Sequence, residues 1–250
     1  MKSLVTAAFA TLIASNLLLA PHQSYAESAA KSDTNVDSGP VREMSDAEIT
    51  KRFYKIWFKS ATEAGMMTNN YLGVLTWQNP FDVWITQEIM YEVNPDIVVE
   101  AGTFRGGSAA LWATFLGQIN PNGRVITIDL HDKRTERAKN LPIVKEKVTF
   151  LHGSSSGPEI VKQVRSAIEG KRSMFILDSA HTREHVLSEL RAYGDLVPVG
   201  SYIIVQDTMG TGASLAISDY LKETDKYVID KSRERLMISN NVNGFLKRVK

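Results

Sequence analysis

Two short apolar segments in the second half of the chain each end on an aspartate. "MFILDSAH" reaches Asp178, and "YIIVQDT" reaches Asp207. If these segments are neighbouring parallel strands, they lie about 5 Å apart and bring the two carboxylates to the same edge of a sheet. Carboxylates that close repel each other unless a cation or a shared proton lies between them. Oxygen ligands suit Mg²⁺, and a sugar or phenol hydroxyl bound to the metal loses its proton more readily. The pair therefore predicts a magnesium site that prepares a hydroxyl as a nucleophile.

A histidine follows the first aspartate by three residues. A short turn would place His181 beside the same substrate oxygen as Asp178, where it would act as a general base. The same spacing also suits a histidine that caps the next helix, and spacing alone leaves both interpretations open. His185, one helical turn further on, is expected to be structural.

An acid and three glycines lie together in "IVVEAGTFRGGSAALW", residues 97–112. The segment predicts a strand at Ile97–Val99 and a helix from Ser108 onward. A dinucleotide fingerprint requires G-x-G-x-x-G, so that a pyrophosphate can lie on the helix N-terminus. The glycine spacing differs here, and Glu100 would repel a diphosphate. The segment therefore disfavours a nicotinamide dehydrogenase and predicts a cationic ligand, either a sulfonium or an amino group.

Two further predicted strand ends carry polar residues. Asp129 follows Gly102 by 27 residues, and an acid in this place commonly binds both hydroxyls of a ribose. A solvated acid in a loop is the alternative. The next strand ends in "HGSSSGPE", where Ser154–Ser156 would either contact an adenine or cap the helix that begins near Pro158.

Apolar runs alternate with helical patterns from position 97 onward, which predicts a parallel sheet covered on both faces. The predicted strands are Ile97–Val99, Val125–Ile128, Val148–Leu151, Met174–Leu177 and Tyr202–Val205. The predicted helices are Ser108–Ile119, Pro158–Ile168 and Glu184–Tyr193. Three later segments predict further strands, including a terminal hairpin with an antiparallel edge: Tyr227–Ile229, Met237–Ser239 and Gly244–Val249. The fold class is α/β with a doubly wound, mostly parallel sheet, in which ligands bind at the carboxyl ends of the strands.

Two helices are predicted ahead of the sheet and would form an N-terminal helical cover. "SDAEITKRFYKIWFKS" begins with the capping box Ser45 and Glu48. Its apolar residues recur at helical spacing and are expected to pack on the main domain: Phe53, Ile56 and Trp57. A second helix is predicted over Phe81–Val93, ending before Pro95.

Composition excludes several classes of protein. The 250 residues carry a formal net charge of +1, so charge gives no indication of nucleic-acid binding. The chain contains no cysteine, which excludes disulfides, thiolate metal sites and cysteine nucleophiles. Two histidines and a carboxylate in the facial arrangement of a metal-dependent oxygenase are not evident near one strand end.

The first 26 residues differ from the rest of the chain. Lys2 precedes an apolar run, Leu4–Ala20, and the small-x-small triplet Ser24–Ala26 follows. This pattern predicts a signal peptide at residues 1–26 and an exported protein, periplasmic or secreted. The alternative is an uncleaved anchor that holds the protein in a membrane through residues 4–20. Residues 27–44 predict a flexible linker, and residues 45–250 form the predicted catalytic domain.

Several long segments resemble one family, from about Tyr71 to Lys250. The chain resembles the cephalosporin hydroxylase and rhamnosyl O-methyltransferase family, whose members have the class I methyltransferase fold and use S-adenosylmethionine. The resemblance implies a Rossmann-like sheet of seven strands. The segments that carry it are "YLGVLTWQNPFDVWITQEIMYEVNPDIVVEAGTFRGGSA", "LHGSSSGPEIV", "ILDSAHTREHVLSELRAYGDLVPVGSYIIVQDT" and "IDKSRERLMISNNVNGFLKRVK".

The resemblance also assigns residues to the site. It implies that six residues hold S-adenosylmethionine: Glu100, Gly102 and Thr103 at the methionine end, Ser108 near the carboxylate, Asp129 at the ribose and Ser154 near the adenine. It implies that three residues hold magnesium: Asp178, Gln206 and Asp207. Members of the family usually have Glu-Asp at the end of the fifth strand, and Gln206 removes one charge from that pair.

The implied reaction is in-line transfer of a methyl group to a deprotonated hydroxyl, with Asp178 and His181 as the catalytic residues. The acceptor would be a small molecule or a glycolipid with a sugar hydroxyl. The sequence leaves open whether the protein forms a homo-oligomer. A different class of function is also open, an exported binding protein that keeps the fold with weakened catalysis. Gln206 and the signal peptide favour this alternative. The residues that oppose it are Glu100, Asp129, Asp178 and His181.

Overall fold

A computed structural model describes the backbone of residues 44–64 and 69–250, and the side chains of 44–59 and 69–250. The predicted signal peptide (1–26) and, except for Met44, the predicted linker (27–44) lie outside the described residues. The helices are α1 (Asp46–Ala64), α2 (Pro80–Val93), α3 (Gly107–Ile119), α4 (Glu136–Asn140), α5 (Pro142–Lys147), α6 (Pro158–Ile168), α7 (Arg183–Tyr193) and α8 (Gly212–Glu223). The strands are β1 (Asn70–Tyr71), β2 (Val74–Leu75), β3 (Ile97–Ala101), β4 (Arg124–Asp129), β5 (Val148–His152), β6 (Ser173–Leu177), β7 (Tyr202–Val205), β8 (Tyr227–Ile229) and β9 (Phe245–Arg248).

Seven of these strands form one sheet in the order β5-β4-β3-β6-β7-β9-β8. Strands β3 to β7 pair in parallel, whereas β9 pairs antiparallel with both β7 and β8. The doubly wound, mostly parallel sheet and its antiparallel edge are thus confirmed. Strand β3 pairs with β4 on one side and β6 on the other. The chain order reverses there, and such a switch point opens a crevice at the strands' carboxyl ends.

Helices cover both faces of the sheet, which explains why the central strands are continuous apolar runs. Every residue of β3, β6 and β7 is buried. One face packs a core that includes Trp112 and Phe245. The opposite face packs a second core that includes Phe175 and Tyr193. The two cores hold the strand ends at fixed distances from one another.

The cover helix α1 begins as the sequence predicts. Ser45 N donates to Glu48 Oε2 at 3.0 Å, and Glu48 N donates to Ser45 Oγ at 3.4 Å, which completes the capping box. The prediction that Phe53 packs on the main domain is wrong, because its side chain is 49% exposed, and the same holds for Ile56 at 57%.

Trp57 and Tyr54 both contact the rest of the domain from α1. The Trp57 ring meets the edge of Phe81 on α2 with centroids 6.3 Å apart, and the Tyr54 hydroxyl donates to Asn240 Oδ1 at 3.2 Å. Within residues 44–64 and 69–250, the structure contains no helix with the length and apolar character of a membrane span.

Two features of the second half differ from the sequence-based expectations. Met237–Ser239 is a loop rather than a strand: Met237 has a φ of +64° and is exposed, while Ser239 is buried against Asp82. Helix α8 was not predicted. Two of its four buried positions are alanines, Ala213 and Ala216, so its apolar face is weakly marked in the sequence.

Candidate active site

The tips of β3 and β6 are in direct backbone contact. Asp178 N donates to the carbonyl of Ala101 at 2.8 Å, and Gly102 adopts a φ of +99°. A Cβ on Gly102 would lie 1.9 Å from the carbonyl oxygen of Asp178. Only glycine combines this backbone conformation with so close an approach. Gly102 therefore allows the β3 turn to pack against the residue that follows β6.

Glu100 is fully buried and held by several side chains. Its carboxylate accepts hydrogen bonds from Trp112 Nε1 at 2.9 Å and from Thr127 Oγ1 at 2.5 Å, and Ser108 also donates to it. Burial raises the pKa of Glu100 to about 7 in spite of these bonds. The hydroxyls of Thr127 and Thr103 lie 2.6 Å apart, so the buried acid is linked to the turn after β3.

A cavity of about 270 Å³ opens above the ends of β3, β4, β6 and β7. Seven of the predicted site residues line it: Gly102, Thr103, Ser108, Asp129, Asp178, His181 and Asp207. The remaining predicted residues, Glu100, Ser154 and Gln206, lie outside this lining. The cavity thus joins the predicted cofactor residues to the predicted catalytic residues.

Asp129 keeps capacity for a ligand although it already supports the neighbouring loops. Its Oδ2 accepts from Phe104 N at 2.9 Å, and its Oδ1 accepts from His131 N at 3.1 Å. A carboxylate has about four lone-pair sites, so each oxygen can accept a further bond. Phe104 in turn contacts the ring of Trp77, with centroids 4.4 Å apart. Both rings line the cavity beside Asp129.

Asp178, His181 and Asp207 form a cluster at the adjacent tips of β6 and β7. His181 Nε2 lies 3.4 Å from Asp207 Oδ2 and 3.9 Å from Asp178 Oδ1. One ligand atom from each residue lies within 4.8 Å of the other two, as in a metal site. Burial raises the pKa of Asp178 well above its usual range, and Asp207 and Glu100 add to the effect through their negative charge. Helix α7 is capped by Thr182 rather than by His181, so the capping interpretation of this histidine does not hold.

The amide of Gln206 lies against Asp178 and Gln78. Gln78 and Gln206 form a reciprocal pair: Gln78 Nε2 donates to Gln206 Oε1 at 2.9 Å, and Gln206 Nε2 donates to Gln78 Oε1 at 3.0 Å. Gln78 Nε2 also donates to Asp178 Oδ2 at 2.9 Å. Gln206 Oε1 lies 2.9 Å from the same Asp178 oxygen. Reversing the Gln206 amide would turn a nitrogen toward Asp178 but also toward the Gln78 nitrogen. With its amide reversed, Gln206 donates from its nitrogen to Asp178 Oδ2 at 2.9 Å, so this contact does not by itself require a cation.

The cluster of Asp178, His181 and Asp207 has the residue types and spacing that could hold a small divalent cation. Asp207 adds a partly exposed carboxylate on the cavity side. The oxygen-rich donor set suits magnesium better than a softer metal.

The structure adds residues that the sequence-based interpretation left without a role. Gln78 comes from the loop before α2, and Asn240 from the loop before β9 donates to Asp207 Oδ1 at 3.2 Å. Ser179 lines the cavity next to Asp178, and its hydroxyl donates to the buried Glu189 at 2.7 Å. His185 Nε2 lies 2.9 Å from Ser179 Oγ. The His185 side chain therefore contacts a residue that lines the cavity but does not line the cavity itself. The Ser154 carbonyl accepts from Gly157 N in the turn before α6.

A doubly wound seven-stranded sheet with a polar cavity over the switch point defines a Rossmann-like α/β fold. The fold resembles a CmcI structure with Mg-SAM, with a TM-score of 0.60, 20% identity, and coverage of 74% of this chain and 78% of that one. It also resembles the TDP-rhamnose 3′-O-methyltransferase of calicheamicin biosynthesis, with a TM-score of 0.51, 15% identity, and coverage of 82% and 96%.

Sequence comparison identifies the family. Residues 64–249 match the model of the rhamnosyl O-methyltransferase/CmcI family. The chain is 35% identical over 193 residues to the rhamnosyl O-methyltransferase of Mycobacterium bovis, which covers 71% of this chain and 77% of the relative. It is 30% identical over 196 residues to the rhamnosyl O-methyltransferase of Mycobacterium leprae, with coverage of 72% and 83%. The chain belongs to the rhamnosyl O-methyltransferase/CmcI family.

Proposed function

We propose that the protein transfers a methyl group from S-adenosylmethionine to a hydroxyl of a sugar, a glycolipid or a secondary metabolite, assisted by magnesium. The observation that carries this proposal is the single cavity in which Gly102, Asp129, Asp178 and Asp207 meet. Family membership supports the methyl-transfer chemistry, and the relatives named rhamnosyl O-methyltransferases support a sugar hydroxyl as the acceptor.

The cofactor site extends along the β3 and β4 ends of the cavity. Gly102 and Thr103 offer backbone that a ligand can approach closely, and Ser108 lies at the start of α3. The N-terminus of α3 favours a carboxylate, because its first amides lack intrahelical partners. Asp129 would accept the ribose hydroxyls. Direct contact of Glu100 with the sulfonium stays a prediction. Without direct contact, the negative charge of the buried carboxylate would still attract a sulfonium bound at the turn after β3.

The acceptor would enter at the β6 and β7 ends. Asp178, Asp207 and the Gln206 carbonyl would hold Mg²⁺, which on binding supplies a positive charge that favours the alkoxide form of the hydroxyl. His181 Nε2 lies near both carboxylates and would take the proton of the hydroxyl. The main contribution of the protein is to hold donor and acceptor in line while the cavity excludes water.

Binding and turnover separate this function from the alternative of an exported, weakened binding protein. Calorimetric titration with S-adenosylmethionine should show binding that Mg²⁺ strengthens. Incubation of the protein with labelled S-adenosylmethionine and extract from its source should yield a methylated product that mass analysis can identify. Lack of cofactor binding would defeat the proposal. Cofactor binding without product and without a metal effect would support the binding-protein alternative, to which Gln206 points.

Export is a further part of the proposal, and the predicted signal peptide of residues 1–26 supports it. N-terminal sequencing of the protein from its source should give Glu27 as the first residue. An intact N-terminus in the membrane fraction would instead support an anchor through residues 4–20.

A further inference from the structure

Asp207 adopts a strained backbone conformation that its neighbours must maintain. Its φ is +50°, a left-handed value that a residue with a side chain rarely adopts. The loop before β9 holds it on two sides. Asp207 N donates to Asn241 Oδ1 at 3.1 Å, and Asp207 Oδ1 accepts from Asn240 Nδ2 at 3.2 Å. Thr208 N also donates to the carbonyl of Asn240 at 2.9 Å. The other carboxylate oxygen, Oδ2, faces His181.

The orientation of the Asn240 amide is determined by a chain of hydrogen bonds from α2. Phe81 N donates to Asn79 Oδ1 at 3.0 Å, so the nitrogen of the Asn79 amide points away from Phe81. That nitrogen donates to Asn240 Oδ1 at 3.5 Å, and the Tyr54 hydroxyl donates to the same oxygen at 3.2 Å. With its oxygen occupied, Asn240 must turn its amide nitrogen toward Asp207.

A buried carboxylate anchors the backbone of the same loop. Asp82 on α2 is 3% exposed, and it accepts hydrogen bonds from Ser239 Oγ at 2.6 Å and from Asn240 N at 2.8 Å. Each carboxylate oxygen of Asp82 thus accepts a hydrogen bond from this loop, and the Asn79 side chain also donates to Asp82. Burying an acid costs free energy unless the acid is hydrogen-bonded. The bonds from Ser239 and Asn240 therefore stabilise Asp82 and hold the loop in place.

We propose that Asn240 is a positioning residue for the divalent-cation site: its amide holds Asp207 Oδ1 so that Oδ2 is directed toward His181 and the cation. Asp82, Asn79 and Tyr54 fix Asn240 in this orientation. Through Tyr54, the cover helix α1 thereby helps to orient the residues of a site at the carboxyl end of β7. The inference rests on the proposed function, because it assumes that Asp207 binds a cation.

The test measures Mn²⁺ binding to the protein by electron paramagnetic resonance, in the presence of S-adenosylhomocysteine. Asn240→Ala should weaken Mn²⁺ binding roughly tenfold, since loss of a residue that orients a metal ligand typically costs 10- to 100-fold in affinity. Tyr54→Phe should weaken it in the same direction by about twofold to threefold, because the Asn79 bond remains. Asn122→Asp, in an exposed turn, is the control and should bind Mn²⁺ as the wild type does.

Two further measurements separate positioning from a general effect on the fold. Binding of S-adenosylhomocysteine to Asn240→Ala should stay within about threefold of wild type. In the methylation assay, the metal concentration required for half-maximal activity should rise, while kcat at saturating metal should be kept.

The outcomes are distinct. Wild-type Mn²⁺ affinity in a folded Asn240→Ala variant would overturn the inference, as would a parallel loss of metal and cofactor binding. Failure of the wild-type protein to bind Mn²⁺ while it binds S-adenosylhomocysteine would refute the metal site in the proposed function, and this inference with it.

Discussion

The indole nitrogen of Trp112 donates a hydrogen bond to the carboxylate of Glu100 at 2.9 Å inside the protein core. The two residues lie on consecutive elements, β3 and α3, on either side of the glycine-rich turn. The acid that the sequence places at the tip of β3 therefore also braces the helix after the turn. Its negative charge lies beneath the cavity rather than on its wall, so any effect on a cationic ligand acts through the surrounding structure.

Glu100 should make stability depend on pH. The pKa of Glu100 is raised from 4.5 to about 7 in the folded protein. Between these pH values the folded protein keeps a proton that the unfolded chain has released, so the free energy of unfolding falls as pH rises from about 4.5 to about 7. The contribution is up to about 3 kcal/mol, because one pKa unit corresponds to about 1.4 kcal/mol.

Urea unfolding of Glu100→Gln at a series of pH values tests this prediction. The variant should lose this part of the pH dependence and gain stability relative to wild type as pH rises. Glu169→Gln, at an exposed position, is the control. Equal pH dependence in wild type and Glu100→Gln would contradict the prediction.

Gly102→Ala should be severely destabilising. The added Cβ would meet the Asp178 carbonyl at 1.9 Å, and the φ of +99° is unfavourable for alanine. We expect a loss of at least about 3 kcal/mol in the free energy of unfolding. Gly170→Ala is a matched control, because Gly170 also has a positive φ, +70°, but open space around its Cβ position. That variant should lose only about 1 kcal/mol. Similar losses in both variants would show that the contact with Asp178 is unimportant.

Gln206→Glu should strengthen divalent-cation binding. The substitution restores the acidic pair that is usual in the family and adds a negative charge beside Asp178 and Asp207. We expect roughly a tenfold gain in affinity for Mn²⁺, from the added attraction at short range. Without metal the variant should be less stable at pH 8 than wild type, because three carboxylates would then repel one another. Calorimetry with Gln163→Glu, on the exposed side of α6, gives the control, and an unchanged metal affinity would count against a cation at this place.

Asp178→Asn should separate activity from stability. Removal of the carboxylate should lower the rate of methyl transfer by at least about 100-fold, because it removes a charge that would hold the proposed cation. Without metal, the same variant should be more stable than wild type at alkaline pH, since it avoids a buried charge whose pKa is raised by burial and by Asp207. Labelled-methyl assays and thermal melting measure the two effects, with Asp225→Asn at an exposed position as the control. A variant that retains activity would contradict the role of Asp178.

The sheet and the acidic strand ends could be predicted because both depend on local sequence. Apolar runs of three or four residues identify buried parallel strands, and the acids that follow them must lie at the same edge. The structure accordingly brings Asp178 and Asp207 to adjacent strands.

The supporting residues could not be predicted, because their roles depend on distant segments. Gln78 reaches Asp178 across 100 positions of sequence, and Asn240 reaches Asp207 across 33. Glu100 was expected on the ligand because strand ends face the cavity. Both faces of β3 are covered, however, and Glu100 is hydrogen-bonded to Trp112 on the next helix and to Thr127 on β4. When both faces of a strand are covered, the pattern of residue types does not indicate toward which face an acidic side chain points.

The strand order also has a consequence for how the chain assembles. Strand β9 lies between β7 and β8 although it is made after both of them. As the polypeptide leaves the ribosome, β7 has no antiparallel neighbour, and β8 cannot join the sheet until Phe245–Arg248 has emerged. The loop that carries Asn240 precedes β9, so Asp207 can receive its support only after this part of the chain has left the ribosome.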